Sequence, residues 1–471
     1  MKLRITFIIL LLAAFVPFEV MILKYLPVSD TIYGYLRFAV EVLIYLIAGI
    51  VFGRYLFMKQ KPAGTPVDKP MLIFIAYAVI ITIVNNAPFI QSFIGLRALL
   101  RYVPLFYVIT HIHFSSTSGK KIFDGLMIVV GIQCAIAIYQ HYFGISQIWY
   151  PRASDLEIGG KQTGFKLLNT GFGGGREMGA GIGTFGDSVF LALFLVICFV
   201  VAFAALQRSE MISKKQRIWY STILMLITVS LFFTYSRGSV LIALLSVPLI
   251  IYLAGGRKKL VVYIGAAVIL LVPVILFGVI DNNTTTSSYI NPKIKYTDPI
   301  ANITTIFSSS YVDNTLQFSR GAVLTEIGGE LISSMKLLGY SPAQDFALEK
   351  AATKLFGSNM PINNLPIIND VYWVAFIIYY GLIGLAIYFF ILYRIFTTSR
   401  YVIRHSPDPY FRMFAVAMAA LTIIAIPYSL ILRTFVFRSF GFYFWLLAGL
   451  VFSEWRRLKE EEKRNQVVVQ A

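Results

Sequence analysis

Apolar runs of about 20 residues recur along the chain, and they constrain its fold more than any other feature. A helix of that length crosses the hydrocarbon core of a bilayer. Because backbone groups in lipid must find hydrogen-bond partners within the protein, segments of this kind are helices. Only 14% of the residues are charged, whereas a soluble domain carries about 25%. The sequence therefore predicts an all-α polytopic membrane protein without a sizeable water-soluble domain.

The hydropathy pattern predicts about 12 transmembrane helices, with both termini on the same side of the membrane. The first run follows Met1-Lys2-Leu3-Arg4, is long and lacks a clean cleavage site, so we expect a retained helix rather than a signal peptide. Residues 1–280 are predicted to carry helices 1–9, 281–366 a large extracytoplasmic loop, and 367–471 helices 10–12 and a basic cytoplasmic tail. The predicted helices are 5–24, 36–57, 70–88, 93–113, 122–144, 180–206, 218–235, 238–255, 260–280, 367–393, 411–432 and 434–453.

The net charge of +18 is concentrated in alternate loops, which indicates membrane orientation rather than a nucleic-acid partner. Cytoplasmic loops of membrane proteins are enriched in Lys and Arg. The pattern therefore places both termini in the cytoplasm. The residues that define this face include Arg54, Lys59, Lys69, Lys120, Lys121, Lys214, Lys215, Arg257, Lys258, Arg394, Arg400, Arg404, Arg456 and Arg457.

Six arginines lie on the opposite, outward face, where the orientation rule does not call for them. Arg97 and Arg101 are four residues apart and share a helix face, and the others are Arg237, Arg320, Arg433 and Arg438. Charges at such depths usually face a cavity or a partner. The planar guanidinium suits bidentate contact with phosphate, so we expect an outward-facing pyrophosphate site without a metal. The alternative for each arginine is snorkelling to lipid headgroups or pairing with a carboxylate such as Glu41.

Carboxylates on the outward face are few, and Asp370 is the main candidate for chemistry. It stands at the predicted start of the tenth helix, where capping and interaction with the helix dipole are the alternative role. Asp187, Asp313, Glu326 and Glu330 are the others. Cys134 and Cys198 lie inside apolar runs, and the four histidines lack ligand spacing. No metal or other cofactor is expected.

Several short stretches, in this order and on this side of the membrane, resemble the O-antigen polymerase and ligase superfamily. The stretches are Thr234-Tyr235-Ser236-Arg237-Gly238-Ser239, Ser319-Arg320, Lys336-Leu337-Leu338-Gly339-Tyr340, Asp370-Val371-Tyr372 and Tyr380-Gly381-Leu382-Ile383-Gly384. Gly95-Leu96-Arg97, earlier in the chain, looks like a further position of the family. The resemblance implies a metal-independent membrane glycosyltransferase of the bacterial plasma membrane, whose donor is an oligosaccharide on polyprenyl pyrophosphate. A chain-length regulator and a flippase are further partners that it implies.

The resemblance also implies roles for individual residues. Arg237 and Arg320 would stabilise the leaving pyrophosphate, with Arg97 and Arg101 next, and Arg433 and Arg438 would complete the substrate-binding set. Asp370 would accept the proton of the acceptor hydroxyl. Tyr340 and Tyr372 would orient sugars, unless they are interfacial aromatics.

The ligase members of the superfamily typically carry histidine where Asp370 stands, which favours a polymerase. A shift of one residue would align Asn369 instead and weaken that argument. A ligase, a lipid-linked oligosaccharide flippase and a structural component of an export machine therefore remain alternatives.

Overall fold

In the described part of the chain the regular elements are helices, except for one pair of very short strands. The structure, a computed structural model, describes residues 2–59, 64–144, 147–149, 157–158, 161–162, 180–207, 213–255, 323, 328–333, 337–356, 368–369 and 371–470. The predicted ninth helix and most of the predicted large loop lie outside these residues, as do Arg320 and Asp370. Strands β1 (Glu157–Ile158) and β2 (Lys161–Gln162) pair antiparallel.

Sixteen α-helices are seen in the described part of the chain. They are α1 Lys2–Phe15, α2 Glu19–Lys24, α3 Asp30–Leu36, α4 Ala39–Phe57, α5 Asp68–Val84, α6 Phe89–Leu100, α7 Val103–Thr110, α8 Ser116–Phe143, α9 Ser188–Leu206, α10 Lys214–Phe233, α11 Arg237–Leu253, α12 Gly328–Ser333, α13 Gln344–Phe356, α14 Tyr372–His405, α15 Pro409–Tyr428 and α16 Arg438–Gln470.

Seven helical stretches among the described residues are long and apolar enough to cross a membrane, and an eighth is formed if α6 and α7 count as one bent span. The shorter α11 is also apolar, over 17 residues. The expectation of a multi-pass helical membrane protein is therefore confirmed. The count of twelve spans and the large extracytoplasmic loop stay predictions.

Burial separates the centre of the bundle from its rim. Helix α9 is the most hydrophobic span, 78% of it is buried, and it packs against α10, α11, α15 and α16. A helix that is apolar on every side belongs in such a place. Helix α4 is only 28% buried, and Leu46 and Ile50 on it are 59% and 63% exposed. Apolar side chains exposed to this degree suit contact with lipid tails.

Three interruptions break the regular course of the spanning helices. A 3₁₀ turn, Val16–Phe18, separates α1 from α2 and contains Pro17. Helices α6 and α7 meet at 45°, where Pro104 stands near the start of α7 and cannot donate a backbone hydrogen bond. Helix α14 passes through Gly381, whose φ of 67° is open to glycine at little cost.

A fully buried, non-helical segment, residues 180–187, precedes α9 where the sequence predicted helix. Gly183 and Gly186 have positive φ there, which explains why the helix starts late. Gln140 Oε1 accepts hydrogen bonds from the backbone of Ile182 and Gly183 at 2.8 Å each. Hydrogen bonds from side chains thus replace the backbone hydrogen bonds of a helix. Backbone groups buried inside a membrane protein need such partners within the protein.

Different residues make the contacts between helices at the two ends of the bundle. At one end, which we call the arginine end, lie Arg97, Arg101, Arg237, Arg433 and Arg438. At the other, the Arg394 Nε atom donates to the Pro66 carbonyl at 3.3 Å, and the Tyr220 hydroxyl donates to Asp124 at 2.8 Å. This division of residues between the two ends agrees with the alternation of basic loops in the sequence. Which end faces the cytoplasm stays a prediction.

Candidate functional site

Three of the predicted arginines converge on one buried carboxylate at the arginine end. The Arg97 guanidinium donates to Glu41 Oε2. Arg101 Nη1 and Arg438 Nη2 each lie 3.5 Å from Glu41 Oε1. Arg438 Nη1 also donates to Glu19 Oε1 at 3.0 Å. We call these five residues the Glu41 cluster.

Helix geometry explains most of these positions. Glu19 and Glu41 lie in the first turns of α2 and α4, where the helix dipole favours negative charge. Arg97 lies in the last turn of α6 and Arg101 caps it, where the dipole favours positive charge. Arg438 is the first residue of α16, where the helix dipole disfavours positive charge. Its contacts with both carboxylates offset that position.

Additional contacts fix the orientation of the guanidiniums. Arg438 Nη1 donates to the backbone oxygen of Arg37 at 2.7 Å. The Arg97 and Arg438 guanidiniums lie 4.7 and 5.9 Å from the centre of the Phe38 ring, within the range of a cation–π contact. Arg101 Nε donates to the Ala98 carbonyl at 3.3 Å.

The Glu41 cluster is not electrically neutral. Three guanidiniums face two carboxylates, so the five ionised groups carry one net positive charge. A fourth arginine, Arg37, also interacts electrostatically with Glu19. Pairing with Glu41, the alternative that the sequence left open, is therefore real but incomplete. An excess positive charge at such a place is costly without an anion.

The carboxylates lie beneath the guanidiniums. The Glu41 and Glu19 side chains are 2% and 7% exposed, whereas those of Arg97 and Arg438 are 22% and 25% exposed. Each guanidinium carries five N–H donors, and the described contacts use only part of them. The cluster can therefore bind an anion from its open side while the carboxylates hold the arginines from behind.

Arg433 lies in the turn between α15 and α16 and has a different environment. Its Nη1 atom lies 3.5 Å from Gln344 Oε1, and its buried Nε atom has no hydrogen-bond partner among the described residues. It interacts electrostatically with the hydroxyls of Tyr372 and Tyr379. The Tyr379 hydroxyl in turn donates to the Asn369 side chain.

Arg237 is the first residue of α11 and lies close to the same turn. Tyr235, just before it, adopts φ 52°, which is uncommon for a bulky side chain. The Ser239 and Tyr428 hydroxyls lie 2.6 Å apart, and a Cβ added to Gly238 would lie 3.0 Å from the Ile431 side chain. The start of α11 thus packs directly on the end of α15.

The start of α14 joins this assembly through backbone contacts. The backbone N–H of Tyr372 donates to the Ser429 carbonyl at 3.0 Å, and the Trp373 indole N–H donates to the Ile426 carbonyl at 2.7 Å. Helix α14 begins at Tyr372 with Val371 as its N-cap, and no side chain caps it there. Asp370, the predicted base, therefore precedes the cap position by one residue.

Three glycines clamp residues 337–343 between α6 and α14. A Cβ at Gly339 would lie 2.2 Å from the Tyr379 carbonyl oxygen, one at Gly381 would lie 2.3 Å from the Leu337 carbonyl oxygen, and one at Gly95 would lie 1.9 Å from the Pro342 carbonyl oxygen. The Tyr340 N–H donates to the Ile378 carbonyl at 2.9 Å. The glycines of three sequence stretches are thus required for close backbone packing.

Further contacts tie this clamped segment to the helices that lead to the Glu41 cluster. The Ser92 and Ser341 hydroxyls lie 2.7 Å apart, and Asn85 Nδ2 donates to the Gly339 carbonyl at 3.1 Å. Lys350 Nζ donates to the Asn85 carbonyl at 2.8 Å. Ser92 lies on α6, which also carries Arg97.

The structure brings together most of the described site residues at the arginine end. Tyr340 and Tyr372 are each only 2% exposed, so they lie in the packed interior, and their proposed contact with sugars stays a prediction. Glu19 was missed by the sequence analysis. Its signal was a carboxylate within the predicted first helix, since an ionisable residue inside a span calls for a partner.

No group of three or more His, Cys, Asp or Glu that could hold a metal ion is found among the described residues. No protein-family model matches the chain, and no curated protein is detectably similar to it in sequence.

Proposed function

We propose that this protein is a polysaccharide polymerase that extends lipid-linked glycan on the outer side of the bacterial plasma membrane. The donor is a glycan on polyprenyl pyrophosphate, and the acceptor is a lipid-linked repeat unit. The observation that carries the proposal is the Glu41 cluster, where three guanidiniums over two carboxylates leave a net positive charge. A pyrophosphate is an anion of the size and charge that such a group of arginines suits.

The proposed reaction moves one glycosyl group. The acceptor hydroxyl oxygen attacks the anomeric carbon of the donor sugar, and the bond from that carbon to the pyrophosphate oxygen breaks. Asp370 takes the hydroxyl proton. The electron pair of the broken bond stays with the pyrophosphate, whose growing negative charge is stabilised by Arg237 and Arg320.

Two features at the arginine end support this assignment of roles. The start of α11, which carries Arg237, and the start of α14 both contact the end of α15, through Tyr428 and Ser429, so the residues that flank Asp370 lie at the same end of the bundle as Arg237. The clamped 337–343 segment rests on α6 and links this region to the helix of Arg97 and Arg101. Donor, acceptor and base can thus meet at one end of the bundle.

A flippase for lipid-linked oligosaccharide is the second candidate, and one observation favours it. Spans broken near the substrate site are typical of transporters. Both the α1–α2 and the α6–α7 breaks lie next to residues of the Glu41 cluster, namely Glu19 and Arg101. The partly exposed guanidiniums of Arg97 and Arg438 lie together at the arginine end rather than through the depth of the bundle, which fits the polymerase better.

The proposal is tested by giving the purified, reconstituted protein a single lipid-linked repeat unit. A polymerase makes a ladder of products from that substrate alone. A ligase leaves it unchanged until a separate acceptor is added. A flippase moves it across the liposome membrane without forming a glycosidic bond, and either of these last two results would overturn the proposed function.

A further inference from the structure

We infer that Glu41 tunes the affinity of the arginine end for phosphate, and that its charge keeps the spent polyprenyl pyrophosphate from binding too tightly. The inference rests on the proposed function, because it names Glu41 as the residue that sets product release at the proposed pyrophosphate site. Glu41 would act on the substrate through the arginines and is therefore a positioning residue.

The first support is the position of Glu41 relative to all three guanidiniums. It is the common neighbour of Arg97 and Arg101, at the end of α6, and of Arg438, at the start of α16. The residue is 1% exposed, so no lipid headgroup can reach it. Glu41 can therefore affect a bound anion only through the arginines that cover it.

The second support is the looseness of two of the contacts. Glu41 Oε1 lies 3.5 Å from both Arg101 Nη1 and Arg438 Nη2 and accepts no hydrogen bond from the described residues. Charge-assisted hydrogen bonds are shorter, near 2.7–2.9 Å. Neither arginine is therefore hydrogen-bonded to Glu41, although Arg438 donates to Glu19 and to the Arg37 carbonyl, and Arg101 donates to the Ala98 carbonyl. The N–H donors outside these contacts can turn towards an anion.

The third support is the charge balance. Three arginines alone would hold a pyrophosphate with three positive charges, which would slow its release after each transfer. Glu41 and Glu19 reduce the excess to one. A site of this kind attracts the donor and still lets the product leave, which a polymerase needs at every step.

The substitution Glu41→Gln removes the charge and keeps the shape and one acceptor oxygen. We expect undecaprenyl pyrophosphate in nanodiscs to bind this variant on the order of 10-fold more tightly than it binds the wild type, because one repulsive charge next to the phosphates is lost. Both KM and kcat for chain growth should fall, since product release becomes slower. Glu41→Asp keeps the charge and should bind the lipid as the wild type does.

If Glu41 only holds the arginines in place, Glu41→Gln would loosen them, and the lipid would bind more weakly instead of more tightly. Glu460→Gln is the control, because it removes one negative charge from the pair with Arg456 at the other end of the bundle, in which the Glu460 side chain is 41% exposed. It should leave lipid binding unchanged. Equal or weaker binding by folded Glu41→Gln overturns the inference. If that variant does not fold, Glu19→Gln makes the same change beside Arg438, and the same tightening is expected and the same failure overturns the inference.

The source of the phosphate is tested in parallel. Inorganic pyrophosphate and phosphatidylglycerol vesicles are used as competitors against undecaprenyl pyrophosphate. Competition by inorganic pyrophosphate supports a site for that group, and equal competition by phosphatidylglycerol overturns it in favour of general headgroup binding. A wild-type protein that binds neither pyrophosphate compound overturns the proposed function together with this inference, whereas wild-type binding without a gain in Glu41→Gln overturns this inference alone.

Discussion

Arg438 and Glu19, which are 419 positions apart in the chain, form a hydrogen-bonded ion pair of 3.0 Å at the arginine end. The pair connects the first residue of α16 to the first turn of α2. Since Arg438 also faces Glu41, it joins the N-terminal helices, α4 and the last helix at one point. The site and the assembly of the bundle therefore depend on the same residue.

This relationship predicts a large cost for removing one partner alone. Glu19→Ala leaves Arg438 without its closest carboxylate in a largely buried place, and we expect a loss of about 3–5 kcal/mol in the free energy of unfolding. Glu461→Ala removes a more exposed partner of Arg457 and should cost less than about 1 kcal/mol. Unfolding of the purified proteins in detergent measures both. Equal losses of stability in the two variants would mean that the buried pair contributes no more to folding than the exposed pair.

The glycine clamp predicts a backbone effect. In Gly381→Ala the new methyl group would approach the Leu337 carbonyl oxygen to 2.3 Å. The backbone conformation, with φ 67° and ψ 179°, is open essentially only to glycine and would add about 1–3 kcal/mol of strain. We expect the 337–343 segment to detach from α14, with faster proteolysis there and loss of chain growth. Gly125→Ala, which meets no atom within 4 Å in α8, is the control and should be neutral or slightly stabilising. Normal protection of the segment in Gly381→Ala would contradict the close packing.

Sequence periodicity predicted the helical, multi-pass fold and the shared face of Arg97 and Arg101, because both follow from local spacing. It placed the start of α6 at residue 93, whereas the helix begins at Phe89, directly after Pro88. It also extended the helix of α9 back to residue 180, where glycines and two glutamine side chains support a buried turn instead.

The partners of the arginines could not be predicted to the same degree. Glu19, Glu41 and Arg438 meet through tertiary packing of helices from distant parts of the chain, and no spacing rule connects them. Gly339 and Gly381 stood out in the sequence only as members of the stretches that carry the resemblance. The contact between two backbones that requires them is seen only when both segments are in place. Arg320 and Asp370 lie outside the described residues, so their roles stay predictions.

The arginines of the proposed transfer step should not tolerate lysine. Arg237→Ala and Arg320→Ala should each abolish polymer at normal protein level, and Arg237→Lys should restore little, because lysine supplies a point charge without the planar fork. Lys215→Ala, an exposed residue at the other end of the bundle, should leave polymer length unchanged. Polymer is measured on gels from membranes with equal amounts of protein. Full activity of Arg237→Lys would exclude bidentate phosphate contact at that residue.

Asp370 can be tested for proton transfer separately from helix capping. Asparagine caps a helix about as well as aspartate but cannot accept a proton at neutral pH. If Asp370 is the general base, Asp370→Asn and Asp370→Ala should both slow chain growth by about 100-fold or more, while donor binding persists. The position of Val371 as N-cap of α14 agrees with a role other than capping. Nearly normal polymer from Asp370→Asn would reject the base and direct attention to Asp187 or Glu326.

The release of polyprenyl pyrophosphate during chain growth tests the account most directly. Reconstituted protein is given a lipid-linked repeat unit, and glycosidic bonds and free polyprenyl pyrophosphate are counted in the same samples over time. The account predicts a product ladder with one polyprenyl pyrophosphate released for each bond formed, and loss of both in Arg237→Ala. Movement of the substrate across the membrane with neither a ladder nor pyrophosphate release would contradict it.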